Sequence, residues 1–171
     1  MPFLARLLGR RPARAELRPL YDAIAAAARA PEWYGEGGIP DTLQGRFDML
    51  AALMALVLLR LEAEGEDAKA QSVLLTEIFI DDMDATLRQL GIGDFAVGKH
   101  VGKLVGALGG RLGAFRAAFA GEAELEPAVR RNLFRDAASD EAVSRLAARL
   151  RETHRRLGET HLEDLLAGKF K

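Results

Sequence analysis

Residues Met49 to Leu59 are eleven consecutive apolar residues without a single charge. All but Val57 are leucine, methionine or alanine, the strongest helix formers among apolar residues. Leu43, Phe47, Leu50, Met54, Leu58 and Leu61 repeat at helical spacing, and Leu53, Leu56, Val57 and Leu59 cover most of the remaining surface. A helix apolar nearly all round is stable only when other elements cover it. The run is far short of the roughly 20 residues that cross a bilayer. It therefore predicts a buried central helix over Thr42 to Glu64, broken by Gly65-Glu66-Asp67, with the rest of the chain as its cover.

That cover also reads as helical. Alanine, leucine and arginine dominate, and β-branched and aromatic residues are sparse, which favours helix over sheet. Leu17, Leu20, Tyr21, Ile24 and Ala28 predict a helix starting near Arg18, with Pro19 in its tolerant first turn. Leu75, Phe79, Met83, Leu87 and Leu90 mark a helix over Asp67 to Leu90, with Gly91 placed to cap it. Val101, Leu104, Val105, Leu108, Leu112, Phe115 and Phe119 mark another over Gly98 to Ala120. In that helix Gly98, Gly102, Gly106 and Gly110 share a face, which implies either tight packing within the domain or a groove for a partner helix. Pro127 suits a first turn, Ser139 caps a helix carrying Val143, Leu146, Leu150 and Leu157, and His161 to Ala167 forms a short amphipathic tail. The expectation is an all-α, single compact domain of about seven helices around the buried one.

Ahead of the central helix lies a stretch that cannot be helical. Gly35, Gly37, Gly38 and Pro40 break regular structure, and Asp41 or Thr42 supplies the N-cap. Trp33 and Tyr34 open this loop and either anchor it or meet a partner. Arg46 and Asp48 precede the apolar run, so their charged heads must reach solvent or find partners. Arg46 is expected to tie down Asp41 or Glu36. A rigid partner-facing surface is expected from Trp33, Tyr34, Ile39, Asp41, Arg46 and Asp48.

The strings Tyr34-Gly35, Pro40-Asp41-Thr42 and Gly45-Arg46-Phe47-Asp48-Met49 resemble the signature of the ubiquinol–cytochrome c chaperone family. So do Phe79-Ile80-Asp81-Asp82-Met83-Asp84-Ala85-Thr86-Leu87-Arg88, Gly91-Ile92-Gly93-Asp94, Val97-Gly98-Lys99 and the closing Leu165-Leu166-Ala167-Gly168-Lys169-Phe170. The order and spacing match from about Arg29 to the C-terminus. The sequence departs from the family at Leu108-Gly109-Gly110-Arg111, where an aromatic is expected before Gly-Arg, and at Ala51-Ala52-Leu53, where a histidine is expected. The resemblance implies a non-catalytic assembly chaperone without a cofactor, whose client is newly made cytochrome b of the bc1 complex. It adds Asp81, Asp84, Arg88, Lys99 and Arg111 to the expected partner-binding residues.

Charge is unevenly spread: about +4 over residues 1–31, −9 over 32–97 and +4 over 98–171. Such asymmetry bears on association rather than fold. Residues 1–13 read as a basic amphipathic segment ended by Pro12, ahead of a helical domain at 14–171. Phe3, Leu4, Leu7 and Leu8 share a face beside Arg6, Arg10 and Arg11, and such a segment lies in a membrane interface or packs on the body. An anionic membrane surface or a ribosome is the partner expected for these arginines and for the face from Arg145 to Arg156. The expected location is cytoplasmic, peripheral at the inner membrane. The chain has no cysteine, which excludes disulfides and thiolate metal sites. Gly93-Asp94 through Gly98-Lys99 does not follow the phosphate-loop pattern. Ser72, Ser139 and Ser144 lack a catalytic spacing. Two other readings stay open. One is a helical membrane-associated enzyme acting on a prenyl or quinone-like substrate, with Asp81, Asp82 and Asp84 holding Mg²⁺. The other is nucleic-acid binding by the arginines, against which the acidic middle counts.

Overall fold

The computed structural model describes residues 2–135 and 138–169, with backbone alone for residues 2–12 and Phe95. Side chains of the basic N-terminal segment, and Phe170 of the closing string, lie outside the described residues. Among those residues no β-strand forms, and seven α-helices follow in order. They are α1 (Pro2–Ala28), α2 (Leu43–Glu62), α3 (Lys69–Gln89), α4 (Asp94–Phe119), α5 (Leu125–Val129), α6 (Asp140–Glu159) and α7 (Leu162–Leu166). A single π-type turn, Arg130–Phe134, continues α5 and ends at Arg135 in left-handed backbone, φ 50°.

The apolar run forms the centre of α2, and every residue from Ala51 to Leu58 is buried. Helices α1, α3, α4 and α6 surround it. The cover comes from Leu20, Tyr21 and Ile24 of α1, Leu75 and Phe79 of α3, Phe115 of α4, and Leu146 and Leu150 of α6. The helix ends follow the local signals. Thr42 Oγ1 accepts the Gly45 amide at 3.1 Å, and Ser139 Oγ accepts the Ala142 amide at 3.2 Å. At the end of α3, Gly91 takes φ 81°, its amide bonds the Arg88 carbonyl, and the Ile92 amide bonds that of Leu87. That is a Schellman motif, available to glycine without a Cβ penalty.

Two expectations are corrected. Pro12 does not end a segment, and Pro19 is not in a first turn, because α1 runs unbroken from Pro2 to Ala28. Each proline forfeits one backbone bond and crowds the preceding turn. Near Pro19 the turn is held from outside: Arg14 donates to Glu77 at 2.8 and 3.2 Å and to Asp81 at 2.8 Å, while Leu17, Leu20 and Tyr21 are buried beyond it. The boundary drawn at residue 13 thus falls inside a continuous helix. Helix α7 closes onto α1, and Gly168 sits so close that a Cβ there would lie 2.5 Å from the Pro19 carbonyl oxygen.

The second correction concerns the glycines of α4. Tight internal packing does not explain them. A Cβ built on Gly98, Gly102, Gly106, Gly109, Gly110 or Gly113 meets no atom of the described residues within 4 Å beyond the adjacent helix backbone. All six are exposed. Each costs a helix interior about 1 kcal/mol relative to alanine, with no close contact in the fold to offset it.

Glycines in different settings therefore give substitutions of opposite sign. Gly102→Ala and Gly106→Ala should each raise stability by about 1 kcal/mol. Gly45→Ala should lower it, because its Cβ would lie 1.9 Å from the Pro40 carbonyl oxygen. Denaturant midpoints at unchanged slope test both signs.

Candidate functional site

The loop between α1 and α2 is anchored by its aromatics. Trp33 Nε1 donates to the Ala27 carbonyl at 2.8 Å, and the Tyr34 hydroxyl donates to that of Ala28 at 2.5 Å. Both acceptors belong to the last turn of α1, whose carbonyls have no helical partner. Ile39 is buried and plugs the loop onto the core. Arg46 donates from its Nε and Nη2 to the two carboxylate oxygens of Asp41, at 2.7 and 3.3 Å, and its Cζ lies 5.8 Å from the centre of the Tyr34 ring. Asp41, not Glu36, is thus its partner. Glu36 pairs instead with Arg149 of α6, at 3.0 Å.

One turn into α2 the chain buries a charge. Asp48 is 2% exposed and Arg111 of α4 is 4% exposed. Asp48 Oδ1 accepts from Arg111 Nη2 and, at 3.0 Å, from Gln44 Nε2; the Arg135 guanidinium lies 3.5 Å from Oδ2. Arg111 also donates to the carbonyls of Ala107 at 3.1 Å and Asn132 at 2.7 Å. The pair therefore joins α2, α4 and the π-type turn. The Arg111 Nε has no hydrogen-bond partner among the described residues, a cost of about 1–3 kcal/mol for a buried donor. Burial raises the pKa of Asp48, with Arg111 as the main opposing influence, and burial lowers that of Arg111.

Above this pair opens a cleft of about 520 Å³. Helix α2 contributes Leu43, Gln44, Phe47 and Asp48; α3 contributes Met83, Thr86 and Leu87, and Leu90 follows as its C-cap. The third wall is α4, with His100, Lys103, Leu104, Ala107 and Arg111, and Arg135 completes the lining. Leu43, Phe47, Met83 and Thr86 also line a smaller hollow of about 180 Å³ on the α1 side, which Arg46 borders. An apolar surface thus runs from the loop into the cleft.

The predicted site residues divide by depth. Trp33, Ile39, Asp48 and Arg111 are buried, Tyr34 and Asp84 are partly buried, and Asp41, Arg46, Asp81, Arg88 and Lys99 are exposed. Arg88 bridges Asp84 and Asp94, joining the end of α3 to the start of α4. Asp81 pairs with Arg14 at 2.8 Å, and Asp82 accepts from the Tyr21 hydroxyl at 2.7 Å. The three acids of the enzymatic reading therefore serve three different partners. No cluster of three or more potential metal-ligating His, Cys, Asp or Glu residues forms among the described residues.

The basic face of α6 is largely neutralised. Arg145 bonds Glu141, Arg149 bonds Glu36, Arg151 bonds Glu126, and Arg155 and Arg156 share Glu152. Arg155 and Arg156 hold Glu152 down to about 2. Sequence reasoning missed Lys103, Arg135 and the apolar cleft mouth. Leu43 and Leu90, 63% and 53% exposed, carried a signal as leucines at helix ends. Arg135 carried none, because its position depends on the turn after α5.

A model of the family described as ubiquinol-cytochrome C chaperone matches residues 36–171. Among solved structures the chain is similar to the crystal structure of the Cbp3 homolog from Brucella abortus. The two are 33% identical, with a TM-score of 0.78, over 96% of this chain and 93% of that one. No curated protein matches.

The buried pair sets a stability prediction. Asp48→Leu or Arg111→Met alone strands a buried charge and should cost about 3–5 kcal/mol. The double variant should cost much less than the sum, as chemical unfolding of the three variants will show.

Proposed function

Because the chain belongs to the ubiquinol–cytochrome c chaperone family, we propose that it is a bc1 assembly chaperone that captures newly made cytochrome b by binding, without catalysis. The observation that carries the reading is the family match over residues 36–171. The structure adds a surface suited to an apolar client. The loop places Tyr34, Asp41 and Arg46 beside the exposed Leu43, and Leu90 stands across the cleft. Asp81, Asp84, Arg88 and Lys99, which line neither hollow, are further polar contacts in this reading, while Trp33, Ile39, Asp48 and Arg111 would hold the surface rigid from beneath.

The open glycine face of α4 is a second candidate surface, on the side of that helix away from the cleft, and none of its glycines lines either hollow. A partner helix can approach a glycine-lined helix closely enough for backbone-to-backbone contact, as small residues permit between helices in membranes. Cytochrome b supplies such helices, and the partner's packing would offset the helix propensity that the glycines forfeit. No helix among the described residues is long and apolar enough to cross a membrane. In our reading the chaperone meets its client at the membrane surface, on the cytoplasmic side. Residues 1–13 are the segment we assign to an anionic membrane surface or the ribosome. The arginines of α6 contribute less to this contact, because their charge is already matched by carboxylates.

The test is recovery of cytochrome b with affinity-purified chaperone from cells assembling a bc1 complex. Wild type should retain it. Tyr34→Ala with Arg46→Ala, and separately Gly102→Leu with Gly106→Leu, should lose most of it at equal folded protein. For Arg46→Ala alone, the stability change should stay near 0.5 kcal/mol, as for an exposed residue. Absence of cytochrome b from the wild-type eluate would overturn the client. Full recovery with both double variants would remove these faces from the reading.

A further inference from the structure

We infer that the cleft between α2, α3 and α4 binds a single acyl chain with an anionic head, the chain lying against Phe47, Leu87 and Leu104 and the head facing Arg111, Arg135 and Lys103. The inference is independent of the client: it rests on the cleft's chemistry and needs no cytochrome b.

Size is the first argument. About 520 Å³ lies within the range of small-molecule sites, which are largely apolar with a few placed polar groups. Exposure is the second. Only three large apolar side chains among the described residues are markedly exposed, and two of them, Leu43 and Leu90, line this cleft. Concentrated apolar exposure at a cavity mouth marks a binding surface rather than ordinary scatter.

Charge selects the occupant. Three cations line the cleft against one carboxylate, and that carboxylate, Asp48, is already bonded by Gln44 and Arg111. Lys103 is exposed and has no hydrogen bond or ion pair among the described residues. The guanidinium of Arg135 lies 3.5 Å from Asp48 and is 64% exposed. Buried Arg111 retains an N–H without an acceptor among the described residues. Gln44, Thr86 and His100 are the remaining polar side chains of the lining, and none brings a formal negative charge. An apolar body with an anionic oxygen at one end answers all of these features. A transmembrane segment of a client answers the apolar wall alone, since its apolar middle carries no anion.

The experiment uses the full chain and oleate below its micelle concentration, read by displacement of a fluorescent fatty acid. Expected is saturable binding at one site, absent for a neutral sugar-headed amphiphile of the same chain length. Leu104→Trp, which fills the cleft, should abolish binding. Lys103→Glu with Arg135→Glu should weaken it at least tenfold at unchanged circular dichroism. Vesicles of phosphatidylglycerol and of phosphatidylcholine separate the sources. Oleate binding together with phosphatidylglycerol binding that Leu104→Trp removes identifies a membrane lipid; oleate binding alone identifies a free fatty acid. No oleate binding, equal binding of the neutral amphiphile, or binding indifferent to the exposed double variant would overturn the inference. A Leu104→Trp that misfolds leaves that exposed double variant as the deciding measurement. Cytochrome b recovery, read in parallel, reports on the client separately.

Discussion

The ion pair between Asp48 and Arg111 ties the fold to its working surface. It lies where an apolar helix, a glycine-rich helix and an irregular turn meet. Apolar packing alone does not fix the rotation of a helix such as α2, whose surface is apolar almost all round. A buried carboxylate with a defined partner can, because moving it strands both charges. The pair is also directional: Arg111 reaches the carbonyls of Ala107 and Asn132 as well as Asp48. One guanidinium thereby fixes the depth of the cleft and the position of Arg135.

How far the sequence discloses the fold depends on the range of each interaction. The loop, the caps at Thr42 and Ser139 and the stop at Gly91 are local, and each was legible. The Arg46–Asp41 tie, between residues close in the chain, was also among the expected pairings. Asp48 and Arg111 stand 63 residues apart. The sequence shows that Asp48 needs a partner but not which cation supplies it. Pro12 and Pro19 misled in the opposite direction. A local rule said that a helix stops, and near Pro19 contacts from α3 outweighed it. The glycines of α4 were legible as a pattern, but which side they faced was not, since a stripe carries no label for the surface it meets.

The charge asymmetry along the chain takes on a second meaning in three dimensions. The basic outer thirds close around the acidic middle. Arg14 pairs with Glu77 and Asp81, Arg116 with Glu62, and Arg149 with Glu36. Most of these contacts are exposed, and each adds little stability by itself, with a typical value below about 1 kcal/mol. Their effect is selective: they favour the arrangement in which acidic helices lie between basic ones. They also withdraw much of the arginine content from contact with outside partners.

The seat of Gly168 against Pro19 has a consequence for the order in which the molecule is made. Helix α1 is synthesised well before α7, yet one of its close backbone approaches is to Gly168, just beyond α7. While α7 is still being made or lies within the ribosomal exit tunnel, α1 to α5 are already outside. Helix α1 therefore waits, unlatched along the side that α7 will cover, until α7 has emerged. In this fold, a helix made late fastens down one made early.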